Sequence, residues 1–272
     1  MVIQLQDACP ASEPPIDKRS SLLQNDVGNR LLRLFSPEDF AVLAPYLTRV
    51  PLELNGMLAH AGEPIVDVCF PESGVIGFVD VLASGERLAV AITGREGFVG
   101  WPLMLGNDCW PHEAVVRARS GTALRISADK LRDVIAVSEG ARSLLLRFAS
   151  SLVAQMTRTI ASNLIHDVER RTARWILLYH DRLDGDEIAI THEELGVMLG
   201  ARRSSITDAL HQLEGAGAIK GFRGRLSVRD RLQLERLVGD TYGFAESEYR
   251  RLLTAGAGSG GFSSPAASRR SL

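Results

Sequence analysis

The stretch Thr191–Glu214, THEELGVMLGARRSSITDALHQLE, decides how this chain is read. Its spacing predicts two helices joined by a tight turn. Thr191 and Glu194 stand three apart, as a capping box requires, in which hydroxyl and carboxylate each satisfy an orphan N–H at the helix start. Leu195, Met198 and Leu199 follow as an apolar face, and Gly200 ends the helix because glycine takes a left-handed turn without a Cβ penalty. Ile206, Leu210 and Leu213 recur at i, i+4 and i+7, so one stripe of the second helix is buried and Arg203, Ser204, Thr207, Asp208 and His211 face outward. A short helix with a polar outer face suits a DNA major groove, which admits a helix and shows a distinct edge pattern for each base pair. Small Gly196, turn-forming Gly200 and β-branched Ile206 stand where a helix-turn-helix needs them. An ordinary helical hairpin is the alternative.

The residues that follow favour DNA. Glu214–Ala218 closes the second helix, and Ile219–Val228, IKGFRGRLSV, reads as a short hairpin, the wing of a winged helix. Between positions 202 and 231 there are seven Lys/Arg against three acids, a local charge of +4, although the whole chain is at −2. Phosphate binding needs a local basic surface rather than a basic protein, because each neutralised phosphate releases counterions.

A length of 272 residues, 45% hydrophobic and 24% charged, is ordinary globular material for about two domains. No apolar run approaches the ~20 residues of a membrane span, and the N-terminus lacks the basic-then-apolar order of a signal peptide. Cys9, Cys69 and Cys109 are too few and too scattered for a disulfide framework. A cytoplasmic protein with no membrane association is the expectation.

In chain order, residues 1–20 hold Pro10, Pro14 and Pro15 and are expected to form a loose arm. Residues 21–137 are expected to be a β-roll entered through two helices: Asn25–Phe35, then one started by Ser36-Pro37-Glu38 and carrying Phe40, Leu43 and Leu47. From Val50, Val/Ile/Phe-rich runs alternate with turn signals such as Asn55-Gly56 and Ser84-Gly85. These predict antiparallel strands at 65–70, 75–82, 87–93, 114–119 and 122–126. Val99–Gly106 is a Gly- and Leu-rich segment with room for a short helix facing the roll's interior. Residues 138–164 form a long helix in which Leu145, Ala149, Leu152, Met156, Thr159 and Asn163 alternate in steps of four and three, a heptad seam suited to pairing two helices. A single helix docked within one subunit is the alternative. Residues 165–254, opening with a helix over His166–Arg182, carry the winged helix, and the Gly/Ser/Ala-rich tail 255–272 is expected to be disordered. The fold class is α+β.

This order of parts resembles the cyclic-AMP receptor/fumarate-nitrate regulator (Crp/Fnr) superfamily of bacterial transcription regulators. The resemblance spans roughly residues 22–254. It is strongest in ITHEELGVMLGARRSSITDALHQLEGAGAI, and is carried also by HDVERRTARWILLYHDRL, GEPIVDVCFPESGVIGFV and GREGFVG. It implies a homodimer on a two-fold double-stranded DNA operator that recruits or blocks RNA polymerase. Carried over by register from Gly200, the base-reading positions fall on Arg203, Ser204 and Asp208. Arg202, Ser205, Thr207, Lys220, Arg223 and Arg225 become the candidate phosphate contacts.

The family's ligand pattern is missing. Its cyclic-nucleotide sensors pair Gly-Glu with an Arg and a small polar residue about ten positions on, where carboxylate and guanidinium hold ribose and phosphate. Here the matching place reads Gly100-Trp101, and Asn107–Val115 has no Arg. Three cysteines cannot supply the four thiolates of an iron–sulfur cluster, and the six histidines show no metal-ligand spacing, so no cofactor or metal is expected. Trp101 and Trp110 are the candidates to line an effector pocket, if an effector exists. With no phosphate-binding loop and no nucleophile motif, an enzyme is not expected. The alternative function is a regulatory ligand- or protein-binding module whose winged helix contacts protein.

Overall fold

A computed structural model describes residues 22–254. The expected arm and tail lie outside the described residues. The segment Asn25–Phe35 is not the helix its apolar spacing suggests: it holds only 3-10 turns at Gln24–Asp26 and Leu32–Leu34. The cause is Asn29, fully buried. Its amide donates to the carbonyls of Pro71 and Gly97, both at 2.8 Å, and its side-chain oxygen accepts from the Leu32 N–H. Those long-range bonds compete with the helix ladder and win. Helix α1 (Pro37–Leu43) starts as expected, with Ser36 Oγ accepting from the Asp39 N–H. Leu47 falls beyond it, after a further 3-10 turn.

Seven strands follow: β1 (Thr48–Leu52), β2 (Met57–Ala59), β3 (Asp67–Pro71), β4 (Val75–Val81), β5 (Arg87–Thr93), β6 (Glu113–Arg117) and β7 (Gly121–Ser127). They form two antiparallel sheets, ordered β1-β7-β3 and β2-β6-β4-β5. Pro51 and Pro71 sit in β1 and β3, the two edge strands of the first sheet, where a missing N–H costs no ladder bond. Between β5 and β6 the expected short helix appears as a 3-10 helix over Trp101–Leu105. Phe70, Phe78, Phe98, Val116 and Leu124 fill the roll.

Helix α2 (Ala128–Val137) leads into α3 (Glu139–Ile165), each opened by a serine, Ser127 and Ser138, that accepts from a first-turn N–H. Then come α4 (Val168–His180), the short β8 (Glu187–Ile188), α5 (His192–Leu199) and α6 (Arg203–Gly215). Strands β9 (Ile219–Phe222) and β10 (Arg225–Val228), then α7 (Arg231–Val238) and α8 (Phe244–Thr254), complete the described chain. The third sheet is ordered β8-β10-β9.

The winged helix does not hang free of the roll. Val75, Ala89, Ile92 and Ala118, from the roll, share one apolar cluster with Trp175, Leu195, Leu199 and Ile206. Strand β5 is therefore covered on both faces. The Arg182–Glu96 ion pair at 2.7 Å, with both side chains mostly buried, and Arg95–Asp184 at 2.6 Å join the same two units.

The expected heptad seam is already occupied. Leu145, Ala149, Leu152 and Thr159 are at most 3% exposed within the single chain, and Met156 is half-buried. Helix α8 and strand β5 pack against α3, the Ile92 N–H donates to Gln155 Oε1, and the buried Arg174 donates to Thr159 Oγ1. The face of α3 left open lies one residue later: Leu146, Ser150, Val153, Thr157, Ile160 and Leu164, with Val153 46%, Ile160 61% and Leu164 80% exposed. Its steps are also four and three. A one-residue shift turns a helix face by about 100°, and both stripes carry enough apolar residues to pass as a seam.

Candidate nucleic-acid interface

The two helices of the opening stretch form as expected. The capping box is complete: Thr191 Oγ1 accepts from the Glu194 N–H, and Glu194 Oε2 accepts from the Thr191 N–H at 2.7 Å. Gly200 ends α5 in the left-handed region, with φ 58°. A Cβ on Gly196 would stand 3.0 Å from the Ala201 carbonyl oxygen, so the turn packs against a bare backbone. Ile206, Leu210 and Leu213 are buried, and Arg202, Arg203, Ser204, Asp208 and His211 are exposed, with Ser205 and Thr207 half-buried. The Thr207 hydroxyl donates to the Arg203 carbonyl and meets His192 Nδ1 at 3.0 Å, which ties the start of α5 to the first turns of α6.

One feature sets α6 apart. Helices α1 to α5 and α7 each begin with a Ser, Thr or Asp side chain accepting from the first turn. Helix α6 begins at Arg202, with no side-chain cap. Its first N–H groups are left for an outside acceptor, at the positive end of the helix dipole and beside two exposed arginines.

The basic run sorts itself in three dimensions. Arg202, Arg203, Arg223 and Arg229 are exposed and form no ion pair among the described residues. Lys220 is held by Glu214 at 2.7 Å, and that ammonium lowers the Glu214 pKa. Arg225 lies 3.7 Å from Glu187 and over the Phe222 ring. Arg231, counted in the charge run, turns inward. It reaches Asp181 and Glu235, each at 2.7 Å, and Tyr242 as well. Of the unpaired arginines, Arg202 and Arg203 stand at the start of α6, Arg223 at the tip of the wing and Arg229 just after β10.

In the roll, Trp101 and Trp110 are 8% and 5% exposed and pack around His112, with ring centroids 5.6 and 6.2 Å away. Phe78 closes the group at 4.9 Å. His112 is one of the six histidines without ligand spacing and, unlike a surface histidine, it is buried at 5% exposure. Burial lowers its pKa below the ordinary histidine value. Gly100 has φ 121°, and a Cβ there would stand 2.6 Å from Val68, so this stretch is pressed against β3. Cys69 is buried, which pushes its thiol up to about 12, and Cys109 is half-buried. No group of His, Cys, Asp and Glu suited to a metal ion occurs among the described residues, nor is any described helix long and apolar enough to cross a membrane.

Comparison with known proteins agrees with this layout. A family model described as a Crp-like helix-turn-helix domain matches residues 170–237, and one described as a cyclic nucleotide-binding domain matches residues 49–138. Together they cover more than half of the chain. Similar solved structures include FixK2 from Bradyrhizobium japonicum, 17% identical, with a TM-score of 0.62 over 71% of this chain and 98% of that one. A CRP-family transcriptional regulator from Thermus thermophilus is 18% identical, with a TM-score of 0.59 over 70% and 97%. The c-di-GMP responsive global regulator CLP from Xanthomonas campestris is 16% identical, with a TM-score of 0.55 over 71% and 99%. At these identities the likeness is one of fold. No curated protein sequence matches.

Proposed function

This chain belongs to the Crp/Fnr superfamily of transcription regulators, and from that premise we propose that it binds a two-fold operator as a homodimer and reads it with the start of α6. The observation that carries the reading is the uncapped N-terminus of α6 beside the exposed, unpaired Arg202 and Arg203. Arg203, Ser204 and Asp208 face the base edges. The first-turn N–H groups, Arg202, Ser205 and the wing arginines Arg223 and Arg225 hold phosphates, while Thr207 and Lys220 contribute through the partners that already orient them.

Dimerisation runs along the open stripe of α3, where Val153, Ile160 and Leu164 offer a heptad face. RNA polymerase is the expected protein partner of the DNA-bound dimer. The roll works without the family's cyclic-nucleotide pair: Gly100-Trp101 offers no carboxylate, and the aromatic group around His112 fills space a nucleotide would need. Mapping bound genomic fragments, followed by salt titration on one of them, tests the proposal. A two-fold site whose affinity falls steeply with salt is expected. Absence of any bound fragment would favour a winged helix that contacts protein.

A further inference from the structure

A cavity of about 460 Å³ lies where the roll, α3 and the winged-helix unit meet, away from the aromatic group inside the roll. That volume is in the range, roughly 300–1,000 Å³, of small-molecule sites. Ile92 comes from β5, Phe148 and Leu152 from α3, and Tyr249 from α8. Helix α8 and the turn before it lie beyond both matched family segments, as does Arg30, which also lines the cavity. The site therefore joins residues of both matched segments, such as Ile92 and Asp181, to parts that lie outside them.

The lining chemistry selects a ligand class. Each carboxylate in the wall already accepts from a donor of the protein. Glu96 is engaged by Arg182 and the Gly94 N–H, Asp181 by Arg231 and the Tyr242 hydroxyl, Glu235 by Arg231, and Glu246 by the Gly243 N–H. A cation would have to compete with all of these. Arg30 is different. It is exposed at the cavity, and its guanidinium makes no hydrogen bond or ion pair among the described residues. Ile92, Phe148 and Leu152 supply an apolar wall beside it.

We propose that this cavity is an effector site for a small organic anion with an apolar body, its charge on Arg30 and its body against Phe148 and Leu152. Such a ligand touches the roll, the long helix and the winged-helix unit at once. Its binding energy therefore favours one seating of the winged helix over others, which is what a ligand needs in order to shift a conformational equilibrium.

The test uses the full chain and 1-anilinonaphthalene-8-sulfonate as a fluorescent probe, with octanoate and 1-naphthylmethylammonium as competitors. One probe per chain is expected, displaced by octanoate and not by the ammonium compound. Arg30→Glu, a change at an exposed side chain, is expected to weaken the probe about tenfold or more, equivalent to at least ~1.4 kcal/mol. Arg223→Glu, the same charge change at the wing, is expected to leave binding intact. Equal loss in both variants, loss in neither, or displacement by the ammonium compound would overturn the assignment.

Discussion

Arg203 and Arg223 are both exposed and unpaired, yet their surroundings assign them different work. Arg203 projects from the first turn of a helix with no side-chain cap, which in the proposed reading is the end that enters the groove. Arg223 sits at the turn of the β9–β10 hairpin, which carries no comparable reading edge. Arg203→Ala is therefore expected to cost on the order of 1–3 kcal/mol on the preferred operator and to relax choice at one base position per half-site, whereas Arg223→Ala weakens all sequences alike and lowers the salt slope by about one. Binding titrations on an operator series with single-base changes measure both. Trp101 carries the residue-scale prediction for the roll. Calorimetry with cyclic AMP and cyclic GMP is expected to show no binding, since Gly100-Trp101 offers a nucleotide neither a carboxylate nor a guanidinium. Micromolar binding abolished by a Trp101 substitution would refute this.

Helix α3 is the element on which most depends, because its two apolar stripes do opposite jobs. One packs α3 into its own chain, and the other stays open. Leu152→Glu places a charge at a position 2% exposed, among Phe148 and Ile92, and is expected to unfold the protein or severely destabilise it, by more than ~4 kcal/mol. Ile160→Glu, at 61% exposure, should leave the folded chain intact by circular dichroism and yield a monomer in sedimentation. A dimeric Ile160→Glu protein would show that the pairing face lies elsewhere. The same contrast explains the length of α3. A helix of 27 residues gains most of its stability from the buried side, and its open side is sustained by that.

Across the whole molecule, the roll and the winged helix are linked by a shared apolar cluster and two ion pairs. Burial opposes the charge of Arg182, but Glu96 and Asp181 hold its pKa above the ordinary arginine value, and the Tyr249 hydroxyl of α8 donates to the Glu96 carbonyl at 2.8 Å. Removing Glu96 takes away the carboxylate in direct contact with a buried guanidinium, so Glu96→Leu is expected to cost about 3 kcal/mol and to raise hydrogen exchange in α8. Denaturant midpoints and exchange mass spectrometry read the two effects. Unchanged exchange in α8 would mean that the pair does not hold the seating of the winged helix.

Read alone, the amino-acid order determined what depends on near neighbours. The capping box of Thr191 and Glu194, the glycine stop at position 200, the Ser36-Pro37 helix start, the strand alternation from Val50 and the periodicity of α3 are each short-range consequences of residue type, and all are present. Tertiary structure decided what depends on competition at long range. Asn29 forgoes a helix because the carbonyls of Pro71 and Gly97, 42 and 68 residues away, claim its amide. Arg231 leaves the basic surface because Asp181 lies 50 residues back in the chain but within hydrogen-bond reach. Between the two stripes of α3, periodicity could not choose. Helix α8 settled the matter by covering one of them, since an apolar face becomes core or surface only when the rest of the chain arrives to bury it.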